Sequence, residues 1–167
     1  MSIANALLGE LEQEAQTTRR VLERIPQEHL SWKPHPKSMS LGKLALHVAQ
    51  VPGNVAELAM FDTVPEPPAF VQAEAATAAE LVPALTASVA KARLHLGGVD
   101  DAAMGATWRL MNDGREILAM PRAAFLRAVM LNHWYHHRGQ LLVYLRLLDL
   151  PVPSVYGPSA DENPFMG

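Results

Sequence analysis

The chain has 167 residues, 49% of them hydrophobic, no cysteine, and a formal net charge of −3. That length buries a sizeable core as one domain, taken as residues 1–167, without a covalent staple, and the missing cysteines exclude disulfides, thiolate ligands, iron–sulfur clusters and a cysteine nucleophile. Lys and Arg scattered over a mildly acidic chain form no basic stripe, so no nucleic-acid partner is expected.

Ile3, Leu7, Leu11, Ala15, Thr18, Val21, Leu22 and Ile25 recur at helical spacing against Glu10, Glu12, Gln13, Arg19, Arg20 and Glu23. This predicts an amphipathic helix of about six turns, ended by Pro26. Residues 26–39, with Pro26, Pro34 and Pro36 around Trp32, read as an extended loop. Ser40 is the N-cap of a second helix carrying Leu41, Leu44, His47, Val48 and Val51. Pro52-Gly53 should kink or interrupt that helix before it resumes through Val55, Leu58 and Phe61.

Pro65, Pro67 and Pro68 mark a connector to a third helix, from about Thr77 to Leu96, whose side of Leu81, Leu85, Val89, Ala92 and Leu96 is apolar and which Gly97-Gly98 stops. Trp108–Met111, the turn Asn112-Asp113-Gly114 and Arg115–Leu118 predict a short β-hairpin. Pro121 suits the first turn of a fourth helix reaching about Leu148, and the tail from Pro151 is irregular. Four helices with two long connections describe an all-α four-helix bundle, a fold that builds metal sites from side chains on facing helices. The most apolar stretch, Leu141 to Leu150, is interrupted by Arg146 and Asp149 and is too short to span a bilayer. The early residues Glu10, Glu12 and Glu14 precede no signal-like run, so a cytoplasmic protein with no membrane partner is expected.

His133 and His137 carry the chemistry. They stand four residues apart in Leu131-Asn-His-Trp-Tyr-His-His-Arg-Gly-Gln-Leu141, so both imidazoles leave one helix face. With His133 at 0°, His137 falls at about 40°, in the middle of an apolar stripe of Leu126, Val129, Met130, Tyr144 and Leu148, while Arg127 and Arg138 lie beyond about 120°. One buried histidine is usually just hydrogen-bonded; two stacked in an apolar face need two separate compensations, and one divalent ion supplies both. His47, close to the apolar stripe of the second helix, is the best third ligand. His29, His35 and His95 read as surface residues, and His136 is open between ligand, pocket lining and proton shuttle. A second stripe of Leu131, Tyr135 and Leu142 beside Gly139 fits intrachain packing and a homodimer interface equally well.

These residues resemble the DinB-like (YfiT-like) family, associated with metal dependence, over most of the chain. The resemblance is carried by His47 within Leu44-Ala-Leu-His-Val-Ala, by His133-x-x-x-His137-Arg138-Gly139-Gln140, and by the tail Val152-Pro-Ser-Val-Tyr-Gly-Pro-Ser-Ala-Asp161. It implies an antiparallel four-helix bundle of up-down-down-up connectivity, dimeric in many members. It also implies a three-histidine site for Ni, Zn or a similar divalent ion, with His47, His133 and His137 as ligands. The family name gives no warrant for polymerase or DNA-binding activity. Characterised relatives of this kind include S-transferases and isomerases that use low-molecular-weight thiols.

Three neutral imidazoles leave the full charge on the ion and at least one position open, where a water or a thiol is acidified. The first expectation is therefore a metal-dependent enzyme acting on a small molecule, either a hydrolase or a thiol-dependent S-transferase. In a chain without cysteine, the thiol would be a low-molecular-weight co-substrate. The alternative is a non-catalytic metal-binding or stress-response protein whose site is closed by a fourth protein ligand; a helical interaction module with a vestigial site stands behind both. No carboxylate lies at ligand spacing from His47 or His133, the nearest being Glu57 beyond Pro52, and this favours the open site. Gln50 and Asn54 are weak helpers, Tyr135 points away, and no general base is assigned. His-Glu-x-x-His, Gly-x-Ser-x-Gly and P-loop signatures are missing.

Overall fold

The computed structural model describes residues 1–67 and 73–166, so Pro68 of the connector lies outside the described residues. Helix α1 (Ile3–Leu22) starts where the Ser2 hydroxyl accepts from the Asn5 amide. It ends one turn earlier than the periodicity suggests, although Ile25 remains buried beyond it. Leu7, Leu11, Val21 and Leu22 face the core as expected, but Glu14 joins them there while Ile3 is left exposed. The reason sits on the last helix: Glu14 pairs with the buried Arg138.

Helix α2 (Leu41–Leu58) is capped by Ser40, whose hydroxyl accepts from the Lys43 amide. It runs through Pro52 as one helix, so of the kink or interruption expected there the interruption is corrected. A proline inside a helix frees the carbonyl four residues earlier, here that of Val48. Trp134 Nε1 donates to that carbonyl at 2.8 Å. The Gly53 amide next to it donates to Ser88 Oγ at 2.8 Å, and the same hydroxyl donates to Gln50 O at 3.1 Å. Side chains from two neighbouring helices thus satisfy the groups that would otherwise make the break expensive. Gly53 also permits the contact sterically, since a Cβ there would stand 2.7 Å from Ser88 O.

Helix α3 (Leu81–Leu96) follows a 3-10 turn over Ala78–Glu80, which begins in a Thr77/Glu80 capping box and so matches the predicted start. Gly98, at φ 87°, ends it in the left-handed region. A short helix α4 (Asp101–Gly105) leads into strands β2 (Thr107–Asn112) and β3 (Arg115–Pro121). Asp113 and Gly114 both have positive φ, the conformation a two-residue hairpin turn requires, and the predicted hairpin is present with slightly longer strands. Strand β1 (Thr63–Val64), unsuspected in the sequence, adds in parallel to β2 and makes a three-stranded sheet of order β1-β2-β3. Two residues are too few to leave a periodic signal.

Pro121 closes β3 and precedes the short helix α5 (Arg122–Phe125). The buried Arg122 guanidinium donates to the carbonyls of Ala59 and Ala103 and pairs with Asp62. It thereby fastens the end of α2 and the end of α4 to the start of the last helical stretch. From Leu126 to Asn132 the chain winds as a π-helix, and only then does α6 (His133–Leu147) begin.

Contacts between residues fix the helix directions. Arg19 reaches Thr86 and Arg93 reaches Glu12, so α1 and α3 are antiparallel. Ser88 meets Gln50 and Lys91 meets Glu57, so α2 and α3 run parallel. Trp134 meets Val48 and Tyr144 meets Met39, so α6 opposes α2. The result is a mostly helical four-helix bundle of up-down-down-up connectivity, with a small sheet at the long connections. No helix among the described residues is long and apolar enough to cross a membrane.

Candidate metal centre

The core face of α6 is Trp134, Arg138, Leu141 and Leu145, all buried. By helical phase this face is centred roughly 90° from the two histidines. The expectation that the histidines sit in the middle of the helix's apolar stripe is therefore corrected, and Arg138, outside that stripe, lies on the buried face. Arg138 is 1% exposed. Its guanidinium donates to Glu14 O and Thr18 Oγ1, pairs with Glu14 and stacks against Tyr135 and Tyr156. A buried charge persists when it is paired and hydrogen-bonded in this way. The π-helical turns before His133 are part of the reason. They advance fewer degrees per residue than an α-helix, so Leu126, Val129 and Met130 cannot be phased with His133.

His133 and His137 instead occupy the flank of α6 that faces α2, and both are half-buried. His47, also half-buried, meets them there. Its Nε2 lies 3.1 Å from Nε2 of His133, and its ring centroid is 4.6 Å from that of His137. The His133 and His137 centroids are 4.3 Å apart. One nitrogen from each ring falls within 4.8 Å of the others. The His47–His133 separation suits two ligands of one ion, since two Zn–N bonds of about 2.0–2.1 Å, at angles between octahedral and tetrahedral, place their nitrogens about 2.9–3.4 Å apart. The three imidazoles, without any carboxylate in the group, could hold one divalent ion.

Electrostatics keep the rings in the ligand-competent form. Burial, followed by the nearby His137 and His133 rings, pushes the His47 pKa down from 6.5 to about 4. Burial also lowers His133 and His137. Neutral rings are what a metal needs.

One residue with no assigned role in the sequence reading supports the site. Gln140, one turn beyond His137, places its Oε1 2.7 Å from His137 Nδ1. A carbonyl oxygen only accepts, so Nδ1 carries the proton and Nε2 keeps its lone pair for the ion. The Gln140 amide then lies 3.1 Å from His136 Nε2, which places the exposed His136 beside the group rather than in it. The spacing of a glutamine three residues after a histidine on a helix could have signalled this pairing. His35 is exposed, His29 and His95 are half-exposed, and none joins the group. Glu57 pairs with Lys91, Asn54 also meets Lys91, and the Tyr135 hydroxyl donates to Glu10 on the other side of α6. Two surface grooves, one under residues 74–76 and one of about 530 Å³ between α6 and the tail, touch none of the three histidines.

An up-down-down-up bundle with three histidines grouped between two of its long helices defines a class of helical proteins whose side chains could hold a divalent ion. A family model described as the DinB family matches residues 1–164, and the chain belongs to that family. The fold is similar to the crystal structure of a DinB-like protein from Bacillus cereus ATCC 10987, with TM-score 0.66, 24% identity and coverage of 91% of this chain and 97% of that one. It is equally similar to the DinB-like protein YjoA of Bacillus subtilis, with TM-score 0.66, 18% identity and coverage of 90% and 97%. The uncharacterized protein YrdA of Bacillus subtilis is 42% identical over 43 residues, so the matched stretch spans about a quarter of each chain.

Proposed function

We propose that this chain binds one divalent transition metal, Ni or Zn, through His47, His133 and His137 and uses it as an enzyme on a small molecule. The observation behind this reading is the convergence of three ring nitrogens from two helices with no carboxylate to close the group. When bound, the ion supplies a Lewis-acidic centre that acidifies a water or thiol and polarises an electrophile. The protein's own part is to hold the rings neutral by burial, to hold the His137 tautomer through Gln140, and to leave one side of the group facing solvent. In a chain with no cysteine, thiol transfer would draw on a low-molecular-weight thiol co-substrate. Thiol-dependent S-transfer and hydrolysis are the two reactions proposed for it.

Elemental analysis after Ni or Zn loading should give one ion per chain, lost in both His133→Ala and His137→Ala. Metal retained by both variants would remove the site. An electrophile conjugate assayed with and without added low-molecular-weight thiol then separates the reactions: transfer needs the thiol, whereas a thiol-independent rate identifies hydrolysis. A loaded protein that turns over the conjugate under neither condition favours the alternative, a non-catalytic metal-binding protein.

A further inference from the structure

The two stretches that build the histidine group contain no acid. Asp and Glu are missing between Glu28 and Glu57, and again between Glu116 and Asp149. The cations in those stretches are Lys33, Lys37, Lys43, Arg122, Arg127, Arg138 and Arg146. Every arginine among them is neutralised by a carboxylate from elsewhere: Asp62, Glu10, Glu14 and Asp161 respectively. Among the described residues, none of the three lysines has an ion-pair partner.

Lys43 is the lysine placed to act at the group. It precedes His47 by four residues on α2, so its stem leaves the same face, about 5–6 Å away at Cβ. It lies about 140–180° around the helix from the buried Leu41, Val48 and Pro52. It is half-buried, and it sits in the first turn of a helix, where the positive end of the dipole disfavours a cation. The Glu74 carboxylate at this helix start accepts from the Ser40 hydroxyl, and among the described residues it makes no ion pair with Lys43. The other rim positions, Gln50 on α2 and His136 and Gln140 on α6, are not acidic.

We infer that the site takes a small molecule bearing a carboxylate, which the Lys43 ammonium holds about one helical turn from the atom directed to the metal. This rests on the metal reading above. A phosphate is the less suitable anion, because helix N-termini grip it through free amides. In α2 those amides are engaged: Leu41 with Trp32 O, Gly42 with Leu30 O, Lys43 with Ser40 Oγ and Leu44 with Ser40 O.

The test uses the full chain loaded with cobalt(II), titrated with 3-mercaptopropionate and with 2-mercaptoethanol, and read by the sulfur-to-cobalt charge-transfer band. The ratio of the two affinities, compared between wild type and Lys43→Met, cancels the intrinsic basicity of each thiol; methionine keeps an apolar stem. The ratio should fall about fivefold in Lys43→Met, as loss of one partly exposed ion pair predicts, and return in Lys43→Arg. An unchanged ratio in a cobalt-loaded variant overturns the carboxylate assignment alone. Failure of the wild type to bind cobalt overturns the metal reading, and this one with it. Inorganic phosphate displacing 3-mercaptopropionate better than acetate does would also overturn the choice of carboxylate.

Discussion

Trp134 Nε1 donates at 2.8 Å to the carbonyl of Val48, the acceptor that Pro52 deprives of its helical donor. Both partners are fully buried, and each is the immediate neighbour of a histidine of the candidate site, His133 and His47. A proline in one helix and an indole in another therefore set the register at which the rings meet. Trp134→Phe should lose about 1–3 kcal/mol of stability, the penalty for an unsatisfied buried carbonyl. It should also weaken metal binding without touching a ligand. Urea denaturation of the metal-free protein and calorimetric metal titration read the two effects; a destabilised variant with unaltered affinity would refute the register argument.

Gly53 faces Ser88 so closely that an added Cβ would meet Ser88 O at 2.7 Å and its Cα and Oγ at 3.0 Å. Two of those atoms belong to backbone, which cannot swing aside. Gly53→Ala should thus cost about 1–3 kcal/mol, although alanine is ordinarily the better helix former. Thermal unfolding decides the sign, and a raised Tm would show that α2 and α3 can separate there.

Gln140 acts on the site through His137, so its removal should affect the ion more than the fold. Gln140→Leu should lower metal affinity by about tenfold or more, the usual effect of losing a partner of a ligating imidazole. Gln140→Glu, which keeps an acceptor at the same place, should restore most of it. Nitrogen NMR of the ring provides an independent check: in the variant His137 should no longer favour the Nδ1–H tautomer.

The pH dependence follows from the depressed histidines. Between 6.5 and about 4 the unfolded chain protonates residue 47 while the folded chain holds it neutral. The stabilising contribution is consequently complete above about pH 6.5 and is lost as pH falls through that window toward 4. Metal-free protein should show a Tm that declines with acidification over this range, less steeply in His47→Gln. Equal slopes in the two proteins would mean that the ring is not held neutral.

Parts of this protein are legible locally. Ser40 caps α2 because a short hydroxyl reaches the third amide of the helix wherever the chain around it is helical. Asp113 and Gly114 turn the hairpin because few other pairs tolerate two positive φ values. The apolar period was less informative on the last helix, where α6 is apolar on several sides and its buried face includes an arginine. Arg138 could be placed there only by knowing that Glu14, Thr18 and Tyr156 surround it.

The sequence by itself determined that His133 and His137 share a face, since four residues and one helical pitch leave no alternative, and that no thiolate could join them. Only the tertiary structure decided where that face points. Continuous winding through Pro52, the π-helical turns before His133 and the docking of α6 antiparallel to α2 together bring His47 within reach. Each of those depends on hydrogen-bond partners supplied from distant segments, and such partners have no local signature for a periodicity to register.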